Sequence, residues 1–277
     1  MKLLLVDGHN LLFQMFFGMP NRIMGKSGRY IEGVIGFVGA LGRIIDMTGA
    51  THAAVLFDSA GHNPRCDLLA QYKQNRPDYS DVPDEENPFT VLPDIYRALD
   101  VMGIAHTEIK ECEVDDVIAS YTLTYPDIET VISSFDSDYF QLITDNVTVL
   151  RYRGMASVLC NKEYLTARLG ITPELYVSHK CLVGDCSDNI KGVRGIGAKT
   201  ATRIVNKYGR LEELLCDTAV IEEQKHREAI EEARDKLACN LALIRLTAGK
   251  PLPLSHADMK LPSERKRTME VIDALGI

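Results

Sequence analysis

The sequence has no CxxC pair, and its seven cysteines are odd in number and scattered along 277 residues. A disulfide framework and a zinc site are both disfavoured, so the thiols read as small buried side chains in a reducing compartment. No apolar run approaches the roughly 20 residues of a membrane helix. The apolar stretch after Lys2 stops at Asp7, too short for a signal peptide. A cytoplasmic protein without membrane contact is expected. There is no internal repeat or low-complexity segment, and no serine or cysteine nucleophile with a histidine partner. Acidic residues are missing between Asn189 and Leu211, although the chain as a whole carries a net charge of −8. Into that gap fall Lys191, Arg194, Lys199, Arg203, Lys207 and Arg210. Net acidity alone argues against nucleic acid as a partner, but here the acidic and basic functions are segregated.

What is present is ordinary globular composition, 45% hydrophobic and 25% charged, with length for one large domain or two modest ones. Three apolar strand-like runs end in aspartate: Leu3 to Val6 before Asp7, Ala53 to Phe57 before Asp58, and Thr130 to Phe135 before Asp136 and Asp138. In an open α/β sheet, ligands bind at the carboxyl ends of the strands. Carboxylates gathered there repel one another, and a divalent cation would offset that repulsion.

Val34, Phe37, Val38, Leu41, Ile44 and Ile45 recur at helical spacing between the first two strands, the βαβ signature of a parallel sheet. Gly33, Gly36, Gly39 and Gly42 share that helix and suggest close approach to the sheet. Residues 61–88 lose all periodicity and hold four prolines, a loop long enough to imply function. Helices resume at Leu92–Met102 and Glu113–Tyr125, and a strand at Val147–Tyr152. From Glu163 the chain reads as all helix, with a start at Thr172-Pro173-Glu174 and one long helix over 222–247. The signal fades beyond Gly249.

Five short motifs could carry chemistry, and each has a plainer alternative. Glu113, Asp115 and Asp116 crowd one helix start, where one or two acids would satisfy the dipole. Asp136 and Asp138 alternate at a strand end, or form a polar turn. Asp185 and Asp188 precede a glycine loop, or simply cap a helix. Gly192 to Ala201 is a glycine hairpin opening into a helix, suited to gripping a nucleic-acid backbone; an ordinary helical corner is the alternative. Tyr72, Lys73 and Arg76 place two cations on one helical face beside an aromatic, for phosphate clamping or as a solvated face.

Taken in order, LLLVDGHNLL, FDSAGHNPR with YKQNRP, EVDDVIAS, SSFDSDYFQL and LVGDCSDNIKGVRGIGAKTA resemble the 5′→3′ exonuclease and flap endonuclease family. The likeness is to the N-terminal nuclease domain of bacterial DNA polymerase I and to bacteriophage flap endonucleases, and it covers residues 3 to about 250. No polymerase domain follows, so a stand-alone member is expected. The resemblance implies a PIN-like α/β core with a mostly parallel sheet, a helical arch and a C-terminal helix–hairpin–helix domain. It implies that Asp7, Asp58, Glu113, Asp115, Asp116, Asp136, Asp138, Asp185 and Asp188 form a nine-carboxylate metal cluster. Lys73 and Arg76 match the pair that contacts the scissile phosphate, and Tyr72 the aromatic beside them. Lys191, Arg194, Gly195, Gly197, Lys199, Thr200 and Arg203 fall on the duplex-binding hairpin, whose carbonyls in the family hold K⁺. The usual glycine or threonine before the middle acidic pair is Phe135 here.

The expected organisation is a nuclease core over 1–165, with the arch at 61–90, and a helical DNA-binding domain over 166–277 with its hairpin at 180–208. The expected activity is structure-specific hydrolysis at DNA 5′ ends and 5′ flaps in replication and repair, by a monomer acting on branched or nicked DNA. Two Mg²⁺ or Mn²⁺ ions would serve it, with Asp116, Asp136 and Asp138 nearest them and Asp185 and Asp188 further out or at a second site. Lys73, Arg76, Asp116 and Asp138 are the expected catalytic residues. Taking the nine acids from the net charge of −8 leaves +1, so the rest of the chain need not repel DNA. A non-catalytic binder of branched DNA is the alternative. A PIN-type ribonuclease is disfavoured by the glycine hairpin.

Overall fold

The computed structural model describes residues 1–26, 28–59, 61 and 64–277. The chain begins β1 (Lys2–Asp7), α1 (Gly8–Gly18), α2 (Glu32–Thr48), β2 (His52–Asp58) and α3 (Arg65–Leu68). It continues with α4 (Leu92–Met102), β3 (Ala105–Ile109), α5 (Val114–Thr124), β4 (Glu129–Ser133), β5 (Val147–Arg151) and β6 (Val158–Cys160). There follow α6 (Lys162–Leu169), α7 (Tyr176–Val183), the two-residue strands β7 (Gly184–Asp185) and β8 (Ile190–Lys191), and α8 (Ala198–Tyr208). The last elements are α9 (Leu211–Cys216), α10 (Gln224–Glu232), α11 (Arg234–Ile244) and α12 (Thr268–Leu275).

Six strands form one sheet in the order β3-β2-β1-β4-β5-β6, parallel except for β6 at one edge. Its central strands are buried on both faces, which is why they read as unbroken apolar runs. Side-chain alternation divides the core. Leu4, Val6, Val55 and Phe57 pack with α1, α2, α4 and α12, whereas Leu3, Leu5, Ala54 and Leu56 pack with α5 and the later helices. From β1 the chain steps to β2 and β3 on one side, and β4 lies on the other. The strand order therefore reverses between β1 and β4, the place where open α/β sheets bind ligands.

Several expectations change. Two of the four glycines of α2 approach α1 rather than the sheet: a Cβ on Gly33 would lie 3.0 Å from Phe16, and one on Gly36 3.2 Å from Met15, while Gly42 faces open space. Four prolines keep residues 61–88 from forming a continuous helix, and the helix in the described part is the single turn α3. Lys73 and Arg76 sit in turns, Lys73 with φ +56°, not on a helical face. Ala60, His62 and Asn63 of the FDSAGHNPR motif lie outside the described residues. The long helix expected over 222–247 is two, broken where Ala233 leaves helical geometry (φ −91°, ψ 6°). Not all the cysteines are buried; Cys186 and Cys216 are exposed.

The weakly patterned C-terminus returns to the sheet. Lys250 N–H donates to Ser120 Oγ at 3.0 Å, and Tyr121 Oη bonds Leu254 N and O at 2.9 and 2.8 Å. Ala53 N–H then donates to Met259 O at 2.8 Å, and α12 packs on α2 and α4. The glycine hairpin depends on two backbones meeting. A Cβ on Gly184 would lie 2.4 Å from Gly192 N, and one on Gly192 2.3 Å from Val183 C. Gly195 turns the loop with φ +83°.

Candidate active site

Asp7 ends β1 and caps α1, accepting from Asn10 N–H at 3.0 Å and from Ser134 Oγ at 3.0 Å. Asp58 ends β2 and accepts from Val114 N–H at 2.9 Å, so it holds the N-terminus of α5. Glu113 is the N-cap residue of α5, and Asp115 and Asp116 occupy its first turn. Asp136 follows β4 and accepts from Asp138 N–H at 2.8 Å. Asp7, Asp58, Glu113, Asp115 and Asp136 line one cleft of about 1070 Å³, together with Lys73, Arg76, His9 and the aromatic rings of Phe13, Tyr79 and Phe89.

The remaining acids are arranged differently. Asp138, Asp185 and Asp188 present oxygens within 4.8 Å of one another, close enough to share a cation. Asp116, expected nearest the ions, accepts at Oδ1 from Arg65 Nη2 and Thr247 N–H, both at 2.8 Å. Arg65 also pairs with Glu113, as does Lys73. The nine carboxylates thus fall into five in the cleft, three at the mouth of the hairpin, and one, Asp116, held by Arg65 and Thr247.

Two cations given no role from the sequence complete the electrostatics: Arg65, the last residue of FDSAGHNPR, and Lys180, outside every motif. Arg65 and Lys180 are 8% and 7% exposed. Lys180 bridges Asp138 and Asp185, the latter at 2.5 Å. A signal for it did exist: Tyr176 to Leu182 is buried all round, and a lysine within such a helix demands a partner.

The basic pair is placed by the hairpin. Lys73 N–H donates to Asp188 O at 3.2 Å, Asn75 Nδ2 to Cys186 O at 2.9 Å, and Arg76 Nη2 reaches Asp188 Oδ1 at 2.9 Å. Tyr72 Oη lies 3.4 Å from both Glu113 and Asp188. On the hairpin, Lys191, Arg194, Gly195, Gly197 and Lys199 are exposed and Thr200 half-buried, while Arg203 is 3.1 Å from Glu223, which partly offsets its charge.

Burial raises Asp7 to about 6, helped by Asp58 and Asp136 against the Asn10 N–H bond, and pushes Asp138 to about 7 despite Lys180. Burial and the charges of Asp136 and Asp7 hold Asp115 well above the ordinary range. Burial works to raise Asp58 too, but His9 and the Val114 N–H outweigh it and hold it low. Below the unfolded value near 3.8 Asp7 is protonated in both states. As pH rises towards about 6, its ionisation costs folded stability. Asp7→Asn should therefore gain stability relative to wild type by an amount that grows from about pH 4 to about pH 6 and then levels off, measured as urea midpoints in EDTA. A gain independent of pH would contradict the crowding of this carboxylate.

Residues 2–170 match the 5′-3′ exonuclease N-terminal resolvase-like domain, and residues 171–267 match the 5′-3′ exonuclease C-terminal SAM fold. The chain belongs to the 5′-3′ exonuclease family. Within it, a 5′-3′ exonuclease of Aquifex aeolicus is 30% identical over 94% of this chain and 86% of its own length. The thermostable DNA polymerase I of Thermus thermophilus is 32% identical over 94% of this chain, which spans 30% of that polymerase. In fold, this family member is similar to bacteriophage T5 5′-exonuclease solved with zinc ions (TM-score 0.73, 23% identity, 100% of this chain and 97% of that one). It is also similar to the catalytic core of Rad2 in complex with DNA (TM-score 0.60, 13% identity, 99% and 85%). Among the described residues, no helix is long and apolar enough to cross a membrane.

Proposed function

We propose that the chain is a metal-dependent, structure-specific nuclease hydrolysing phosphodiester bonds at DNA 5′ ends and 5′ flaps, in replication and repair. The observation that carries this is the gathering of Asp7, Asp58, Glu113, Asp115 and Asp136 at the switch point of the sheet, with Lys73 and Arg76 on the same cleft. The donor set is dominated by carboxylate oxygen, and burial, with neighbouring carboxylates adding to it, raises Asp7, Asp115 and Asp138. That suits a hard divalent cation, Mg²⁺ or Mn²⁺, better than a thiophilic one. Two ions are proposed: one among Asp7, Asp115 and Asp136, the other among Asp138, Asp185 and Asp188, with Asp58, Glu113 and Asp116 supporting from behind.

When bound, such ions supply a water of lowered pKa and stabilise charge on the leaving oxygen. The protein's own residues do the rest. Lys73 and Arg76 offset charge on the phosphoryl oxygens, and Tyr72 keeps Glu113 and Asp188 in register between the two halves of the site. The aromatic rings of the cleft offer a stacking surface beside the carboxylates.

The hairpin is proposed as the duplex anchor. Lys191, Arg194, Lys199, Thr200 and Arg203 contact phosphates, Gly195 and Gly197 allow close backbone approach, and loop carbonyls hold K⁺. Charge reversal at Lys199 should weaken duplex binding and flatten the salt dependence by about 0.9 in log–log slope per lost phosphate contact. Fluorescence anisotropy across a salt series checks this, and an unchanged slope removes Lys199 from the interface. A nuclease core over 1–165 and a DNA-binding unit over 166–277 are proposed for a cytoplasmic monomer; the division between the two family matches at 170/171 supports such a boundary.

Substrate class is tested by comparing 5′-flap DNA, 3′-flap DNA and structured RNA in Mg²⁺. Cutting confined to the 5′ flap supports the proposal. Equal cutting of the RNA would favour a ribonuclease.

A further inference from the structure

The two groups of carboxylates differ in what already neutralises them. Asp7, Asp115 and Asp136 receive neutral donors: Asn10 N–H, Ser134 Oγ, Tyr139 Oη and Asp138 N–H. Asp138, Asp185 and Asp188 are held by cations: Lys180 spans the first two, and Arg76 takes the third at 2.9 Å. Lys180 is buried on a helix whose neighbouring residues are buried too, so its ammonium is turned inward onto these carboxylates rather than out into solvent. It also joins the start of the turn after β4 to the end of α7, elements that are 42 residues apart. A compact point charge on a flexible stem can fill a carboxylate cage and also leave it. Any ion entering that cage meets a cation already bonded to its carboxylates, whereas in the cleft Lys73 and Arg76 pair with Glu113 and Asp188 rather than with Asp7, Asp115 or Asp136.

We infer that Lys180 is the resident cation of the Asp138, Asp185 and Asp188 group and sets the affinity of that group for a second divalent ion. Binding is thereby ordered. The cleft fills first, and the second ion enters only by displacing the Lys180 ammonium. Lys180 acts as a positioning residue: without the second ion it keeps Asp138 beside Asp185 and prevents the carboxylates from repelling one another apart. The inference rests on the metal-centre reading above and concerns only the order and strength of filling.

A site-resolved Mg²⁺ titration followed by amide NMR tests it. Asn10 N–H bonds Asp7 and reports the cleft; Ser187 N–H bonds Asp185 at 2.8 Å and reports the second group. In wild type, Asn10 should shift at lower Mg²⁺ than Ser187. In Lys180→Met, which removes the charge and nearly keeps the volume, the Ser187 midpoint should fall at least about tenfold, a difference of roughly 1.4 kcal/mol. The Asn10 midpoint should move by less than about twofold, and Lys180→Arg should keep the wild-type order. A Ser187 midpoint that is unchanged or higher in Lys180→Met overturns the inference and leaves Lys180 an ordinary structural ion pair. Wild-type protein gives an independent check that needs no variant. The ¹⁵Nζ ammonium resonance of Lys180 should change with the Ser187 midpoint, and its constancy through that transition overturns the inference. If Mg²⁺ shifts neither amide, the metal-centre reading itself fails, and this inference with it.

Discussion

Asp115→Asn combined with Asp136→Asn should lower single-turnover cleavage of a 5′-flap duplex by about 10³-fold or more, while binding of the same duplex stays within about threefold. The rate figure is the scale on which removal of one preorganised electrostatic contact in a dry site is felt. Both residues line the cleft, and both receive neutral hydrogen bonds that asparagine can still satisfy in part. The fold should therefore survive. Two charges that repel their neighbours are also removed: Asp115 is raised by burial and by Asp136, and the charge of Asp136 helps raise Asp7. The metal-free variant should consequently be more stable than wild type at neutral pH. Lower activity with higher stability marks carboxylates kept for function rather than for folding. A variant that cuts at near the wild-type rate would remove the cleft from the chemistry.

The second large effect concerns stability. Arg65→Ala should destabilise the metal-free protein by about 3–5 kcal/mol, read from urea unfolding. Arg65, Glu113 and Asp116 are 8%, 9% and 5% exposed, so the variant leaves two buried carboxylates short of their shared cation. Thr247 N–H and Lys73 compensate only partly. Adding Glu113→Gln and Asp116→Asn should recover much of the loss, because the cost lies in unpaired charge rather than in missing contact area. A loss below about 1 kcal/mol, or no recovery in the triple variant, would show that the guanidinium does not hold this part of the fold.

The strands of the sheet centre were legible because they are buried on both faces, and hydrophobic burial writes itself as unbroken apolar runs. β3 was not. Its AHTEI is largely half-buried at the sheet edge and carries neither an apolar run nor clean alternation. α1 was hidden because Leu11 to Phe17 is apolar on every side but Gln14 and shows no helical stripe, and α12 by its distance from anything recognisable. Within the site, the acids were legible because they sit at strand ends and at a helix start. Their cations were not, because Arg65 and Lys180 meet their partners across 48 and 42 residues of chain. Only tertiary packing makes those pairs. The same holds for Lys73 and Arg76: helical spacing suggested one shared face, whereas docking of a proline-bounded turn onto the hairpin sets their positions. The glycine hairpin was legible as a motif, but not the reason for Gly184 and Gly192, which is that two backbones cross where no Cβ fits.

The central claim is that this cleft hydrolyses DNA. The most direct measurement is single-turnover mapping of a 5′-labelled flap duplex in Mg²⁺ and again in EDTA, with binding read by anisotropy on the same samples. Cleavage near the flap junction in Mg²⁺, its loss in EDTA and comparable binding in both is the result predicted. Normal binding with no cleavage in either Mg²⁺ or Mn²⁺ would contradict it and leave the protein a binder of branched DNA.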